Sequence, residues 1–279
     1  MAATDSAGCA DFIGKWSAHE PEMTLAEPFC PRPLRMRFRL WGALLQELRE
    51  AAFELSDARA IEAKSAWWAE ELAQSAQHAA RHPLTQALLH EAGLHSLPSQ
   101  MALPWPQLGN GLLASAASES RPADSDAAIA GMRPLADGIL AFESALFGGA
   151  PFDARAERAQ HADASNAVVV HLLAQRLRIG LGSEDAGRIP LSLLARHRIS
   201  AAQLVEPAGA PAIADWAQQL LMLAPARCIG GSLYRRARSA FDRRTLQRIA
   251  EHRAATPPHP FRALWLAWGA ARGGEIDLP

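Results

Sequence analysis

Two acidic residues, Glu50 and Glu54, stand four positions apart in the segment Glu47–Glu54. On an α-helix this spacing places both side chains on one face, one turn apart. Because Mg²⁺ prefers carboxylate oxygens, Glu50 and Glu54 at this spacing have the geometry that a shared metal ion needs. The apolar residues of the same helix point to the other side, and charged helix faces are most often simply solvated. A solvent-facing pair therefore stays open as the alternative.

A second group of candidates lies in the segment His171–Ile179 and in the glycine-rich stretch after it. Arg176, Arg178 and Arg188 could contact phosphate directly, because the planar guanidinium group matches phosphate oxygens with two parallel hydrogen bonds. Gln175 could supply one neutral oxygen as a metal ligand. Arginines that flank a loop are more often surface residues, and that interpretation also stays open.

Composition and hydrophobic periodicity predict an all-α protein, in which helices would carry the candidate residues. Alanine and arginine are frequent and favour helices, whereas β-branched residues are sparse. Apolar residues recur at steps of four and three from Leu34 to Ala52, as on an amphipathic helix. Further helices are predicted over residues 57–83, 153–180 and 211–253.

The domain organisation follows from the same pattern. Residues 1–30 are polar and interrupted by prolines, so we predict a poorly determined N-terminal lead-in. No internal repeat or long linker interrupts residues 31–272, which predicts a single helical domain. Residues 273–279 are predicted as a C-terminal tail.

Several segments, in this order, resemble the squalene/phytoene synthase family. They are Glu47–Glu54, Trp67–Leu72, Arg81–Leu84, Phe142–Phe147, Gly187–Leu191, Leu194–Ser200, the pair Tyr234 and Arg235 and the pair Trp265 and Trp268. The resemblance implies an isoprenoid-synthase-like helical bundle around a central cavity. In that family two facing aspartate-rich helices hold Mg²⁺ against a prenyl diphosphate.

The resemblance assigns positions in the two aspartate-rich motifs. Glu50 and Glu54 stand at the magnesium positions of the first motif, where Ala51 replaces a third acid. Gln175 and Ile179 stand at the aspartate positions of the second motif. The resemblance therefore implies a magnesium site that is weakened at the first motif and incomplete at the second.

The resemblance also implies the residues that contact the substrate. These are His171, Gln175, Arg176, Arg188 and Tyr234. Together they would hold a prenyl diphosphate or an apolar isoprenoid.

Three hypotheses for the function follow. The first is a protein of isoprenoid metabolism that keeps the fold, has impaired magnesium-dependent catalysis and binds an isoprenoid diphosphate. The second is an active prenyltransferase that condenses two prenyl diphosphates head to head, with Mg²⁺ as cofactor. The third is a non-catalytic helical interaction or assembly factor with a protein partner and no cofactor.

Charge and cysteine content limit the possible partners and the cellular location of the protein. A formal net charge of −1 argues against nucleic acid as a partner. Three cysteines without metal-ligand spacing are typical of reduced thiols, and the N-terminus has no signal-peptide pattern, which together predict a cytoplasmic protein.

One helix is rich in arginine, and all of its arginines are predicted to face outward. They are Arg235, Arg236, Arg238, Arg243, Arg244, Arg248 and Arg253. Such a face could contact an acidic partner or the anionic inner surface of a membrane, which would make the protein at most a peripheral membrane protein. A solvated face is the alternative, because Asp242 and Glu251 break up the charge.

Overall fold

The computed structural model describes residues 2–55, 57–91, 103–117, 121–147, 154–226, 228, 231–252 and 258–272. Its α-helices are, in chain order, α1 (Ala2–His19), α2 (Pro21–Ala26), α3 (Arg35–Arg49), α4 (Ala58–Ser75), α5 (Pro83–Glu91), α6 (Trp105–Ala116), α7 (Ser125–Phe147), α8 (Ala154–Gly180), α9 (Leu191–His197), α10 (Ala210–Leu223), α11 (Leu233–Ala250) and α12 (Pro260–Ala271). Within the described residues there is no strand, so the predicted all-α class is confirmed. The predicted tail, residues 273–279, lies outside the described residues.

Shorter turns connect some of these helices. Four are 3₁₀ turns, at Glu27–Phe29, Arg32–Leu34, Ala201–Val205 and Pro207–Gly209, and a π-helical turn at Glu50–Glu54 continues α3. Helix α4 ends at Ser75, earlier than predicted, and His78 then adopts a left-handed conformation with φ 57°. None of the described helices combines the length and the apolar composition that crossing a bilayer needs.

Residues 1–30, which the sequence predicts as a lead-in, instead contain two helices that pack into the core. Trp16 of α1 and Met23 of α2 are fully buried. The Trp16 ring lies against Gly42 of α3, where an added Cβ would come within 2.7 Å of ring atom Cζ2. Because protein interiors are close-packed, α1 can rest on α3 only with glycine at this position.

Three aromatic rings meet at the centre of the bundle. Trp41 of α3 stacks on Phe142 of α7 with 4.8 Å between ring centroids, and Trp105 of α6 packs edge-on against Phe142 at 4.6 Å. The Trp41 indole Nε1 donates a hydrogen bond to Glu143 Oε1 at 2.8 Å, which satisfies its one polar atom. These rings fill the space between α3, α6 and α7 with aromatic packing.

Helix α8 agrees with the predicted helix over 153–180, and the chain after it folds back along the last turns of the helix. Gly187 has φ +68°, a conformation that favours glycine. An added Cβ at Gly180 would lie 2.7 Å from the carbonyl carbon of Ala186, so glycine is also needed where the loop meets the helix. The loop at 181–190 is therefore held against the C-terminal end of α8.

Candidate functional site

Glu50 lies in an ion-pair cluster with Glu47 and two lysines. Lys15 Nζ of α1 is 2.7 Å from Glu47 Oε1 and also donates a hydrogen bond to Glu50 Oε2. Lys64 Nζ of α4 lies 3.6 Å from the same Glu50 oxygen. Lys15 and Lys64 are the only lysines in the whole sequence. The acidic turn is therefore covered by α1 and α4 and neutralised by both lysines, rather than fully exposed to solvent.

The lysines determine the charge state of Glu50. Burial on its own raises the pKa of the Glu50 carboxyl, but the hydrogen bond from Lys15 and the positive charge of Lys64 outweigh it and hold the pKa below its usual range. Glu50 is thus ionised, with two ammonium groups sharing one of its oxygens.

Glu54 ends the π-helical turn and lies in a different environment. It is half-buried at the edge of a cavity beside Arg49. Burial raises the pKa of the Glu54 carboxyl, the negative charge of Glu50 adds to this, and the positive charge of Arg49 opposes it. Of the predicted pair, Glu54 lines this cavity and Glu50 does not.

We call this cavity the arginine pocket. It has a volume of about 390 Å³ and is lined by Arg49, Phe53, Glu54, Leu55, Gln175, Arg176, Ile179, Gly180, Ser183, Asp185 and Arg188. The lining comes from the end of α3 with its π-helical turn, from the last turns of α8 and from the loop after α8. These are the two helical segments that carry the predicted acidic and second motifs, so the fold does bring them together.

Arg176 is the most unusual residue of the arginine pocket. Its side chain is 9% exposed, and within the described part of the chain its Nε has no hydrogen-bond acceptor and its guanidinium forms no ion pair. The guanidinium carbon lies 5.3 Å from the centroid of the Phe53 ring, a cation–π contact. Burial lowers the pKa of Arg176 to about 10, the positive charges of Arg188 and Arg121 contribute, and the negative charge of Asp185 opposes them. Among the described residues, a buried cation is therefore placed at the pocket without an ion pair to a carboxylate.

Arg188 reaches the pocket from a constrained part of the loop. Its φ is 54°, a left-handed conformation that is uncommon for residues other than glycine and often found at functional sites. Its Nε lies 3.7 Å from Asp185 Oδ1. Arg121 fixes the loop by donating to the carbonyl oxygens of Ile189 and Glu184 at 2.8 and 3.0 Å. The loop therefore holds Arg188 at the mouth of the cavity.

Next to the pocket lies a buried network of charged residues in which every charge has partners. Arg49 donates to Glu20 Oε1 and, at 2.7 Å, to His171 Nε2. His171 Nδ1 lies 2.9 Å from Asp242 Oδ2. Since Nε2 accepts from Arg49, Nδ1 carries the proton and donates it to Asp242. Burial lowers the pKa of His171 to about 4, so the ring is neutral at neutral pH.

Arg238 closes this network from α11. It lies 2.9 Å from Glu22 Oε1, 3.2 Å from Glu20 Oε2 and 3.1 Å from Asp242 Oδ1. Arg235, one turn earlier, forms a bidentate pair with Glu143 at 2.6 and 3.1 Å. The prediction that Arg235 and Arg238 face outward is wrong, because carboxylates from distant parts of the chain neutralise them inside the core.

Gln175 joins the network to the pocket. Its amide nitrogen donates to Asp242 Oδ1 at 3.2 Å, and its amide oxygen accepts from Arg178 Nε at 3.0 Å. Both ends of the amide are therefore engaged. Ile179, at the other aspartate position of the second motif, is 48% exposed and has no ligand atom.

The side chains available at the two motifs fit a magnesium ion poorly. Glu50 is neutralised by lysines, Gln175 is occupied by Asp242 and Arg178, and Glu54 faces arginines. Across the described ranges no three histidine, cysteine, aspartate or glutamate side chains converge as a metal site would require. The pocket instead offers guanidinium groups, which bind anions.

Tyr234 lies in the core rather than at the pocket. It is fully buried and packs edge-on against Phe38 at 4.9 Å between ring centroids. Burial raises the pKa of its hydroxyl, and the negative charge of Glu20 adds to this. His171 is likewise enclosed in the network, so neither residue lines the arginine pocket.

Arg49, Phe53 and Asp185 line the pocket but were not predicted as site residues. Arg49 carried a signal in the sequence, since it follows Leu45 by four positions and therefore lies near the apolar side of its helix. A charged residue at such a position is rarely buried without a partner or a function. Asp185 is an acid of the loop after the second motif, which only a gap in the register of that motif would have recruited, and Phe53 had no comparable signal.

A comparison with solved structures identifies the fold. Squalene synthase HpnC from Alicyclobacillus acidocaldarius aligns with a TM-score of 0.55 and 15% sequence identity over 97% of this chain and 91% of that chain. The fold is squalene synthase-like. The predicted isoprenoid-synthase-like bundle is thereby confirmed at the level of the fold. No family model matches the sequence, and no curated protein matches it.

Proposed function

We propose that this squalene synthase-like protein binds an isoprenoid diphosphate in the arginine pocket through guanidinium groups, with magnesium-dependent catalysis impaired. The observation that carries the proposal is the buried guanidinium of Arg176, whose Nε has no hydrogen-bond acceptor and which forms no ion pair within the described part of the chain. Removing a charge from water without pairing it costs several kcal/mol, roughly, in a folded protein. An anion in the pocket would supply the missing partner.

The composition of the pocket favours a diphosphate attached to an apolar chain. Arg176 and Arg188 approach from the helix and from the loop, so they could hold different oxygens of one ligand. Phe53, Leu55 and Ile179 form an apolar wall beside them. A volume of about 390 Å³ lies in the range of small-molecule sites. The relative with the similar fold is a squalene synthase, which supports an isoprenoid ligand by analogy only.

The same side chains explain why turnover would be impaired. A prenyl transfer requires strong neutralisation of the leaving diphosphate, which a carboxylate-bound Mg²⁺ provides. Here the Glu50 carboxylate is already neutralised by Lys15 and Lys64, and Gln175 takes the place of an acid. We therefore expect a diphosphate to be bound and left intact.

Isothermal titration calorimetry with a chelator present tests the proposal. Inorganic pyrophosphate and farnesyl diphosphate should bind without Mg²⁺, whereas farnesol should bind much more weakly. Arg176→Gln should weaken pyrophosphate binding by roughly tenfold to a hundredfold, the value of a hydrogen bond to a charged group. Arg196→Gln is the matched control, because Arg196 is an exposed arginine of α9 paired with Asp215. Equal affinity of both variants would refute the assignment.

An active prenyltransferase is the second candidate, and one observation favours it. Glu54 lines the pocket and, among the described residues, forms no ion pair with either lysine, which leaves its carboxylate available. Diphosphate release from farnesyl or geranylgeranyl diphosphate in the presence of Mg²⁺ distinguishes the candidates. Release that disappears in the Glu50→Gln, Glu54→Gln double variant would establish the enzyme. Intact substrate after prolonged incubation would support binding without turnover.

The filled centre of the bundle favours the third candidate, a non-catalytic interaction protein. Trp41, Trp105 and Phe142 occupy the space between three helices. If neither pyrophosphate nor farnesyl diphosphate binds to the folded protein, this candidate replaces the first two.

A further inference from the structure

The outer side of α12 carries an aromatic ridge. Its members are Phe261, Leu264, Trp265 and Trp268. Phe261 is 79% and Trp265 46% exposed, while Ala263 and Ala267 on the opposite side of the helix are buried in the core. Large apolar side chains in a continuous exposed row are uncommon on soluble proteins and mark an interaction surface.

A basic groove runs beside this ridge, between α11 and α12. It encloses about 250 Å³, and its arginines are Arg236, Arg243, Arg244 and Arg262. Among the described residues that line the groove there is no aspartate or glutamate. Two of these guanidinium groups donate to backbone carbonyl oxygens, Arg236 to Ala270 at 2.9 Å and Arg243 to Ala224 at 3.4 Å. The groove therefore concentrates positive charge at the edge of an apolar surface.

The ridge and the groove together have the charge and the polarity of a bilayer-binding face. The stretch 258–272 contains no acidic residue. Trp265 and Trp268 are in ring contact at 5.1 Å, and the Arg272 guanidinium lies 5.0 Å from the centroid of the Trp268 ring. Tryptophan rings favour the boundary between headgroups and acyl chains, and arginine can extend its charged end toward phosphate from there.

We propose that α12 docks on an anionic phospholipid bilayer, with the aromatic ridge at the acyl boundary and the arginine groove holding lipid phosphates. Charge complementarity selects this partner, because a groove whose described lining holds four arginines and no acid attracts an anionic surface while the aromatic rings insert beside it. The face shares no residue with the arginine pocket, so the proposal stands independently of the diphosphate ligand.

Vesicle flotation tests the proposal with phosphatidylcholine vesicles that contain or lack phosphatidylglycerol. The protein should float with the anionic vesicles and remain unbound with phosphatidylcholine alone. Arg243→Gln, Arg244→Gln and Arg262→Gln together should weaken binding on the order of a hundredfold, since each arginine near the surface contributes about fivefold. Phe261→Ser with Trp265→Ser should weaken it by at least about tenfold through lost apolar burial.

Matched variants elsewhere on the surface serve as controls. Arg196→Gln and Val205→Ser change an exposed arginine and a half-exposed apolar residue away from this face, and they should leave vesicle binding unchanged. The Arg176→Gln protein should also bind vesicles normally, which separates this face from the arginine pocket.

Three results would overturn the proposal. They are absence of binding to anionic vesicles, equal binding to both vesicle types, and full binding by the ridge or groove variants. Light scattering adds a further check, because a dimer that Phe261→Ser with Trp265→Ser dissociates would identify the ridge as a contact between two copies.

Discussion

The buried network and the arginine pocket are neighbouring regions built on α3 and α8, yet they treat buried charge in opposite ways. In the network, Arg49 is paired with Glu20, and His171 with Asp242, so that each charged group has a partner of opposite charge or a hydrogen-bond acceptor. In the pocket, Arg176 follows Gln175 on the same helix and forms no ion pair within the described residues, although Asp185 lines the same cavity. Burial of a charge is therefore structural in the first region and points to a ligand in the second.

The network should be the more sensitive region to substitution. Arg238→Met leaves Glu20, Glu22 and Asp242 buried without their shared cation, and we expect a loss of roughly 3–5 kcal/mol in the free energy of unfolding. Urea denaturation followed by circular dichroism measures it. Arg59→Met, at an exposed position of α4, should change stability by less than about 0.5 kcal/mol. Similar small losses for both variants would remove the distinction between the regions.

Acidification should destabilise the network through His171. Its folded pKa is about 4, whereas the unfolded value is 6.5, so protonation favours the unfolded chain. The contribution of His171 is complete above pH 6.5 and is lost as the pH falls from there toward 4, on the order of 3 kcal/mol in total. Burial alone would raise the pKa of Glu20, but Arg49 and Arg238 hold it low, so the loss from Glu20 comes at lower pH.

The contribution of His171 can be isolated with the His171→Gln variant. The free energy of unfolding is measured at a series of pH values for the native protein and for the variant. Glutamine keeps one donor and one acceptor but does not titrate. The variant should lose less stability between pH 6.5 and 4 than the native protein does. Identical pH profiles would show that His171 does not control acid sensitivity.

In the arginine pocket, removal of a buried charge should stabilise the protein, whereas in the network it destabilises it. Arg176→Met removes a buried cation that forms no ion pair within the described residues and keeps the apolar contact with Phe53, so we expect a gain of about 1–3 kcal/mol in the free energy of unfolding. Pyrophosphate should raise the melting temperature of the native protein and raise that of the variant by clearly less at the same concentration. A destabilised variant would instead mean that Arg176 belongs structurally with the network.

The lysine cluster should be the least sensitive of the three groups of charges. Lys15 is more than a third exposed, so Lys15→Met should cost no more than about 1 kcal/mol. The loss should shrink at high ionic strength because salt screens exposed charges. A large, salt-independent loss would place Lys15 among the structural charges. Lys64→Met removes the longer contact to Glu50, at 3.6 Å, and should lower the free energy of unfolding by less than Lys15→Met does.

The fold could be predicted from the sequence to a greater extent than the site. The apolar period of α3, the long helix α8 and the start of α4 are local features, and the structure has them where the pattern placed them. The resemblance of short motifs also indicated the squalene synthase-like fold correctly. Local signals of this kind depend on residues within a few turns of each other.

The pairing of charges could not be predicted in the same way. Arg238 and Glu20 are separated by 218 positions, and only the folded chain brings them to 3.2 Å. For the same reason residues 1–30 looked like a lead-in, although Trp16 and Glu20 are fully buried. A polar segment can belong to the core when its partners come from distant parts of the chain.

The location of both lysines has a consequence for chemical labelling. Lys15 hydrogen-bonds to Glu47 and Glu50; although burial lowers its pKa, these bonds raise it above the usual value. Reagents such as N-hydroxysuccinimide esters attack only the neutral amine, so the folded protein should acylate slowly at Lys15. Lys15 belongs to α1, whereas its partners belong to α3 and its π-helical turn. The rate of acylation at Lys15, measured by mass spectrometry, would therefore report how often α1 detaches from the bundle.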